Sequence, residues 1–476
     1  MRSTTKLLGI AALAVLMLAA AACGDDDDGD AAADQATASD SVGSEAGDGD
    51  ESPDPAPAVE PDAEPEPAPA VEPESASLTV WTQLGDNPAV QGVLDGLNEA
   101  FMAQHPNISV EIEHQTFDNL QQTVPTALAS GAGPDIIDFD ANESTIGALA
   151  KTDLVIDLEP YFAEHGWDDQ LFPWVKDRLR FGAGPVGVGR SNEVVGIFYN
   201  VDLFTELGLA APDTYEALLA AADGLAEAGI APIAFANLDQ WPASHFLGVA
   251  LHASIPIDQI GGFERLSASG SWDDAAVADA VAEAVSWVDA GYALEGFNGL
   301  GYDDGNGEFY AGRAGMHITG TWLVGDIAAN MADIDVRFIA FPMIDESLPR
   351  QAQGGIGGAW AITSSSDAPD AAAQWIDFVH FSDQAEAAWV EAGVLPTTNF
   401  DMSTADAPQL LKDNFAVLEA ASAEGGIGYW LGFTADPIVS DSFTSNSQIV
   451  LDGSLSVDEY VSRMQDALDE ARDKAG

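Results

Sequence analysis

The sequence predicts a two-lobed α/β fold, and three observations carry that expectation. From Leu78 onward, short strand patterns alternate with amphipathic helical patterns, the order that builds largely parallel sheets flanked by helices. Roughly 400 residues follow Leu78, too many for a single core of that kind. Residues 24–77 before it offer almost nothing to bury, so they should not join the folded core.

The elements can be justified in order. Arg2 and Lys6 precede an apolar run from Leu7 to Ala22 that ends in small residues. The run is too short and too weakly flanked for a membrane span and reads as an export signal over residues 1–22. The only cysteine of the chain, Cys23, follows at once in "AAAACGDDDD". Its place resembles the lipid-attachment motif of bacterial lipoproteins, although Ala20 stands where that motif has Leu. The resemblance implies a lipid on Cys23, anchorage to the outer face of the cell membrane, and a folded part without any thiol. That part then has no disulfide and no cysteine-ligated metal.

Residues 23–77 form the predicted linker. Positions 24–77 carry 18 acidic side chains and no basic one, and "PDPAPAVEP" recurs as "PEPAPAVEP". Such composition cannot build a core, and proline at this density favours an extended spacer. Acidity continues beyond it. The whole chain holds 79 acidic and 15 basic residues, a net charge of −64. That balance excludes nucleic acid, whose binding rests on neutralising phosphates, and reads as adaptation to a salty medium.

In the folded part "LTVW" is a buried-strand pattern, followed by a helical pattern from Val90 to Gln104. "ISVEIEH" alternates as a strand, "DNLQQTVPTALAS" returns to helical spacing, "DIIDFD" is a further strand, and another helix follows Glu143. Later helices are expected at Tyr215–Ala228, Ala275–Ala290, Ala368–Phe381 and Val457–Lys474. Glycine-rich turns separate them, notably "GGIGGAW".

Six segments in a fixed order then carry a family resemblance: "LTVWTQLGDNP", "ASGAGPDIIDFDANE", "NEVVGIFYNVDLFTELGL", "EFYAGRAGMHITGTWLV", "GGIGGAWAITSSS" and "EAGVLPTTNF". Together they resemble the extracellular solute-binding proteins of ABC sugar importers, a maltose-binding-protein-like family. The likeness covers essentially everything from Leu78 on. It implies a type II periplasmic-binding-protein-like fold with two lobes, each a mainly parallel sheet, joined by hinge strands. Lobe one would comprise 78–188 with 354–390, and lobe two 191–340 with 397–476. It also implies a sugar held in the cleft, an ABC permease as membrane partner, a monomeric binder and no cofactor.

A sugar offers hydroxyls that donate and accept, and flat C–H faces. Its site therefore pairs carboxylates and amides with aromatic rings on loops at the carboxyl ends of strands. Gln83, Asp86 and Asn87 follow the first strand, and the resemblance makes Asp86 a sugar contact; a turn and helix cap is the competing role. Asn142 and Glu143 match the family's polar pair after "DIIDFD", with capping again the alternative. Glu193 in "NEVVGIFYN" matches a ligand-binding carboxylate near the first hinge. Asp239, Gln240 and Trp241 match an aromatic-polar cluster after "PIAFA".

Trp322, after the "AGMHIT" strand, matches the ring that stacks on sugar, with a buried core Trp as the alternative. Gly357 and Gly358 would let backbone N–H groups approach a ligand, while Trp360 beside them reads as core. Tyr429 and Trp430 supply rings in the last segment of lobe two. Near Asp441, where maltose-binding proteins carry a further stacking Trp, this chain has Ser440 and Asp441, which argues against maltodextrin.

Other classes remain open at this point. Glu193 and Asp239 could serve as the acid pair of a glycosidase. The sequence nevertheless holds no nucleophile elbow, no His-Glu-x-x-His and no phosphate-cradling glycine loop. Its seven histidines are dispersed. A binder of a polyamine, osmolyte or metal chelate is a second alternative, which would favour a cage of acids. A sensing receptor with the same cleft is a third.

Overall fold

The computed structural model describes residues 75–85, 87–182, 184–400, 402, 407–433 and 436–475. Cys23, the linker up to residue 74 and Asp86 lie outside the described residues, while Ala76 and Ser77, expected at the linker's end, open the first strand.

Capping and apolar spacing explain the first helix. Asn87 accepts the N–H of Val90 at 3.2 Å, Pro88 opens Pro88–Gln104, and Val90, Leu94, Leu97 and Phe101 recur on one buried stripe. The predicted helix after "ISVEIEH" is Phe117–Ala129, and its Thr116 accepts the N–H of Asn119 at 3.3 Å. The later helical spacings become Tyr215–Glu227, Ala275–Asp289, Pro369–Ile376 and Val457–Ala475.

Twelve strands are found among the described residues. They are β1 (Ala76–Thr82), β2 (Ile108–His114), β3 (Ile136–Phe139), β4 (Val188–Gly189), β5 (Asn192–Asn200) and β6 (Ala231–Ile233). The rest are β7 (Ala314–Gly320), β8 (Val336–Ala340), β9 (Gln351–Ala352), β10 (Gly354–Ile356), β11 (Ala359–Ile362) and β12 (Gly426–Ile427). One sheet runs β2-β1-β3-β11-β4. The second runs β10-β5-β7-β6, with β8 also on β5, and β12 pairs β9 separately.

Two lobes are present, but the expectation of mainly parallel sheets needs correction. In lobe one β1 is parallel to β2 and β3, whereas β11 is antiparallel to both β3 and β4. In lobe two β6 and β7 are parallel, and β5 is antiparallel to β7, β8 and β10. The reason lies in the crossings. Each lobe's strands share one direction except the strand that arrives from the other lobe, β11 in the first and β5 in the second. A strand entering at the cleft end must run away from it, against neighbours that run toward it. Sitting in mid-sheet, one reversed strand makes most of the lobe-two pairings antiparallel.

The chain crosses between sheets at Arg190–Ser191 and again at Gly357–Gly358. Residues 354–356, expected in lobe one, therefore pair in the lobe-two sheet. A third segment, at Leu395 and Pro396, lies beside these two crossings. Arg190 N–H donates to Gly358 O at 2.6 Å, Gly357 N–H to Ser191 O at 3.0 Å, and Asn192 N–H to Leu395 O at 2.7 Å. The Asn192 amide adds a bond to Pro396 O at 2.8 Å. Three strands of backbone are thus tied side by side, a hinge narrow enough to bend while its own hydrogen bonds persist.

Each lobe has its own core. Lobe one packs Leu78, Val80, Phe101, Ile136 and Trp360, and lobe two packs Phe246, Phe263, Trp272, Trp287 and Tyr460. Trp360, expected as core, has no exposed surface and meets Trp375 edge to face with ring centroids 5.2 Å apart.

Candidate functional site

Between the lobes, above the hinge, lies a cavity of about 450 Å³. Its walls come from segments that follow strand ends, as open α/β sheets dictate. Gln83 follows β1 and Asp140 follows β3; Asp239 and Trp241 come after β6, and Trp322 after β7.

The floor is a buried polar network. Arg190 Nε donates to Asp138 at 3.1 Å, with Asp138 fully buried and Arg190 nearly so. Burial opposes the charge on Arg190, yet Asp138 and Glu193 outweigh it and hold the guanidinium protonated. Gln83 Nε2 donates both to Asp140 Oδ1 at 3.1 Å and to Gly357 O at 3.0 Å, tying lobe one to the second crossing. Burial pushes the Asp140 carboxyl up to about 8, aided by repulsion from Glu193 and Asp138 and opposed by the Gln83 amide. Glu193 accepts from Ser191 Oγ at 2.9 Å; its carboxyl is also raised by burial, against the pull of Arg190.

Glycine at the second crossing has a different purpose from the one expected. A Cβ on Gly357 would fall 1.9 Å from the Glu193 carboxyl, and one on Gly358 would fall 2.4 Å from Asp138 and 3.1 Å from Arg190. These glycines make room for the acid–arginine floor.

The lobe-two wall is aromatic. Trp241 lies 4.4 Å from Tyr302 and 6.3 Å from Trp322 between ring centroids, and Trp322 lies 5.9 Å from Trp430. His245 sits among them, 5.0 Å from Trp322 and 5.8 Å from Trp430. Burial lowers its pKa to about 3, so the imidazole is neutral and can donate from one nitrogen and accept at the other. Trp322 Nε1 donates to Tyr302 Oη at 2.8 Å, and that hydroxyl bonds Thr319 at 2.8 Å, which fixes the ring planes. From lobe one, Phe117 reaches across to within 6.4 Å of Trp241. Flat apolar faces beside carboxylates and a neutral imidazole suit a polyhydroxylated solute.

Of the residues singled out in the sequence, Gln83, Asn87, Glu193, Asp239, Trp241, Trp322, Gly357 and Trp430 line this cavity, Asn87 also capping Pro88–Gln104. Asp239 also accepts the N–H of Tyr302 at 2.7 Å, holding the start of Tyr302–Tyr310. Asn142, Glu143, Gln240, Gly358 and Tyr429 do not line it. Asn142 is buried, its carbonyl accepting Gly147 N–H at 2.9 Å, where the chain turns into Ile146–Lys151. Glu143 pairs with Lys151 at 2.8 Å. Gln240 is exposed, with a left-handed φ of 67°. Gly358 lies behind the floor, and the Tyr429 ring faces Arg178 and Arg265 instead of the cavity.

The cavity also has walls that sequence reasoning missed: Arg190, Asp140, His245, Tyr302 and Asp326. Two carried a local signal. His245 falls four residues after Trp241 and Asp326 four after Trp322, the spacing that puts side chains on one helical face. Arg190 is the only Lys or Arg between Arg180 and Arg265, which marks it in so acidic a chain. Asp140 closes the "DIIDFD" strand pattern and so stood at a readable strand end, and Tyr302 is brought in by the fold alone.

Comparisons agree with this architecture. The model of the bacterial extracellular solute-binding proteins matches residues 85–386. An uncharacterized ABC transporter extracellular-binding protein of Pyrococcus horikoshii is 22% identical over 306 residues, covering 63% of this chain and 66% of that protein, just short of two thirds of its length. Among solved structures, a chitin oligosaccharide binding protein superposes with a TM-score of 0.74 at 22% identity, covering 84% of this chain and 100% of the other. The solute receptor AcbH, described with an exclusive preference for β-D-galactopyranose, superposes with a TM-score of 0.70 at 18% identity, covering 84% and 99%.

Proposed function

Since the chain belongs to the bacterial extracellular solute-binding protein family, we propose that it is the capture subunit of an ABC importer, closing its two lobes on a sugar or short oligosaccharide. The observation that carries this reading is the interlobe cavity of about 450 Å³, where Trp241, Trp322 and Trp430 face Asp140, Glu193 and Gln83. Its volume suits one small molecule. Rings would cover the C–H faces of a pyranose while the acids and amide take its hydroxyls.

Closure follows from linkage. A solute touching both lobes favours the closed form by its differential affinity for that form and no more. The closed form would then dock on a permease that supplies the membrane and ATP-hydrolysing parts. One chain furnishes both walls of the cavity, so a single copy suffices for capture. The chain is read as a binder and not as an enzyme. Asp239 is engaged by the Tyr302 N–H and Glu193 by the Ser191 hydroxyl, which ties both carboxylates to neighbouring protein groups.

One observation favours a second reading. Six acids, Asp118, Asp140, Glu193, Asp239, Asp303 and Asp326, line the cavity against one Arg that already pairs with Asp138. That balance would also suit a cationic solute such as a polyamine. A thermal-shift panel of mono- and oligosaccharides, polyamines and osmolytes separates the two. A bound sugar at ~100 times its dissociation constant is expected to stabilise the fold by roughly 2.7 kcal/mol. A shift with polyamines and none with sugars would overturn the sugar reading.

The leader and Cys23 complete the proposal: the mature chain would start at Cys23, carry lipid there, and stand off the outer face of the cell membrane on its acidic linker. Mass spectrometry of the mature N-terminus is expected to find Cys23 acylated. An unmodified cysteine, or cleavage elsewhere, would remove the anchor.

A further inference from the structure

A second interlobe contact lies outside the cavity. Arg178, at the end of the lobe-one helix Pro173–Arg178, donates from Nη2 to Ile427 O at 2.7 Å and to Gly428 O at 3.0 Å, both in lobe two. Its guanidinium carbon also lies 3.8 Å from the centre of the Tyr429 ring. Arg265, from lobe two, reaches the same ring from another side and bonds the Tyr429 hydroxyl. One guanidinium nitrogen serves both carbonyls while the rest of the planar group lies over the Tyr429 ring, a combination that a compact, strongly hydrated ammonium does not match.

The lobe-two side of this contact is rigid. β12 pairs with β9, and Gly428 N–H donates to Ala352 O at 2.7 Å. His252 is buried and kept neutral by that burial, its pKa lowered to about 4. One of its nitrogens bonds Gly248 O at 2.7 Å, which makes it the donor, and the other accepts the Tyr429 N–H at 3.2 Å. The next residue, Trp430, lines the cavity. The backbone gripped by Arg178 is therefore the same backbone that presents an aromatic wall to the solute.

We propose that Arg178 is a positioning residue for solute capture, latching lobe one onto residues 427–429 and so setting how far the lobes close over Trp430. This rests on the capture role proposed above, but the latch is formed by protein groups alone and can be tested with no solute present. The described residues hold no cysteine, so spin labels can be placed at will in a Cys23→Ser background. Exposed Glu99 in lobe one and Glu227 in lobe two serve as label sites after replacement by cysteine.

Pulsed electron–electron distance measurements on the solute-free protein are expected to show a short, closed population. Arg178→Met should lower its ratio to the open population by at least about tenfold, the ratio that one charged hydrogen bond is worth. Arg178→Lys should behave like Arg178→Met, because it keeps charge and loses the planar group over the Tyr429 ring. Tyr429→Leu, which spares the arginine, should shift the same distribution, whereas Tyr429→Phe should not. An unchanged distribution in Arg178→Met and Tyr429→Leu, or full retention by Arg178→Lys, would overturn the latch. Because no sugar enters the measurement, a failed sugar panel would leave this result standing.

Discussion

Replacing Arg190 by Met is expected to destabilise the protein by about 3–5 kcal/mol, the cost of leaving a buried partner charge uncompensated. Arg190 and Asp138 are both buried beneath the cavity, with the guanidinium 3.1 Å from the carboxylate. Without the cation, Asp138 and Glu193 would share one poorly solvated space with Asp140, whose carboxyl burial already raises to about 8, and would have to take up protons or draw in water. The effect would fall on the hinge, because Arg190 itself forms the first crossing and its N–H holds Gly358 O. Urea denaturation of single and double variants checks this. Arg190→Met with Asp138→Asn should recover more than half of the loss, since a neutral pair leaves no orphaned charge. Equal losses in the single and double variants would show that the ion pair is not what holds the crossing.

This network also shows what could and could not be read from the sequence. Local patterns sufficed where one element decides the outcome: the capped helix after Asn87, the alternation of "ISVEIEH", and the apolar spacing of Val457–Ala475. The order of the elements and the resemblance put one lobe change between 188 and 191 and another between 340 and 354, whereas the sheets change at Arg190–Ser191 and at Gly357–Gly358. Strand direction was not legible, because the reversal of β5 and β11 comes from where the chain enters each lobe and not from any residue within those strands.

At the site, positions on a strand end or in a helical step from a marked Trp could be found. Tyr302 could not: it is 61 residues from Trp241 in sequence, yet its ring lies 4.4 Å away. Tyr429 was singled out for its ring, but that ring lies against Arg178 and Arg265 while the adjacent Trp430 lines the cavity. Only one of Tyr429 and Trp430 faces the cavity, and the sequence alone did not say which.

Replacing Trp322 by Ala is expected to cost at least about 2 kcal/mol of sugar affinity, roughly thirtyfold, with the fold retained. The ring is only half-buried and stands in the cavity between Trp241, His245 and Trp430, so its removal opens a wall more than it hollows a core. Its support comes from β7. A Cβ on Gly320 would fall 1.8 Å from the Trp322 ring, so the indole folds back over the bare glycine, and its Nε1–H on Tyr302 sets the tilt.

That geometry supplies a second variant that keeps the ring and moves it. Gly320 has φ −96°, open to any residue, so Gly320→Ala should displace the indole without straining the backbone and weaken binding less than Trp322→Ala does. Trp322→Phe, which keeps an aromatic face but not the hydrogen bond, should also fall between wild type and Ala. Calorimetry with whichever sugar gives the largest thermal shift measures all three. Loss of folded signal in Trp322→Ala would instead make this ring a core residue. Unchanged affinity across the series would remove the aromatic wall from solute recognition.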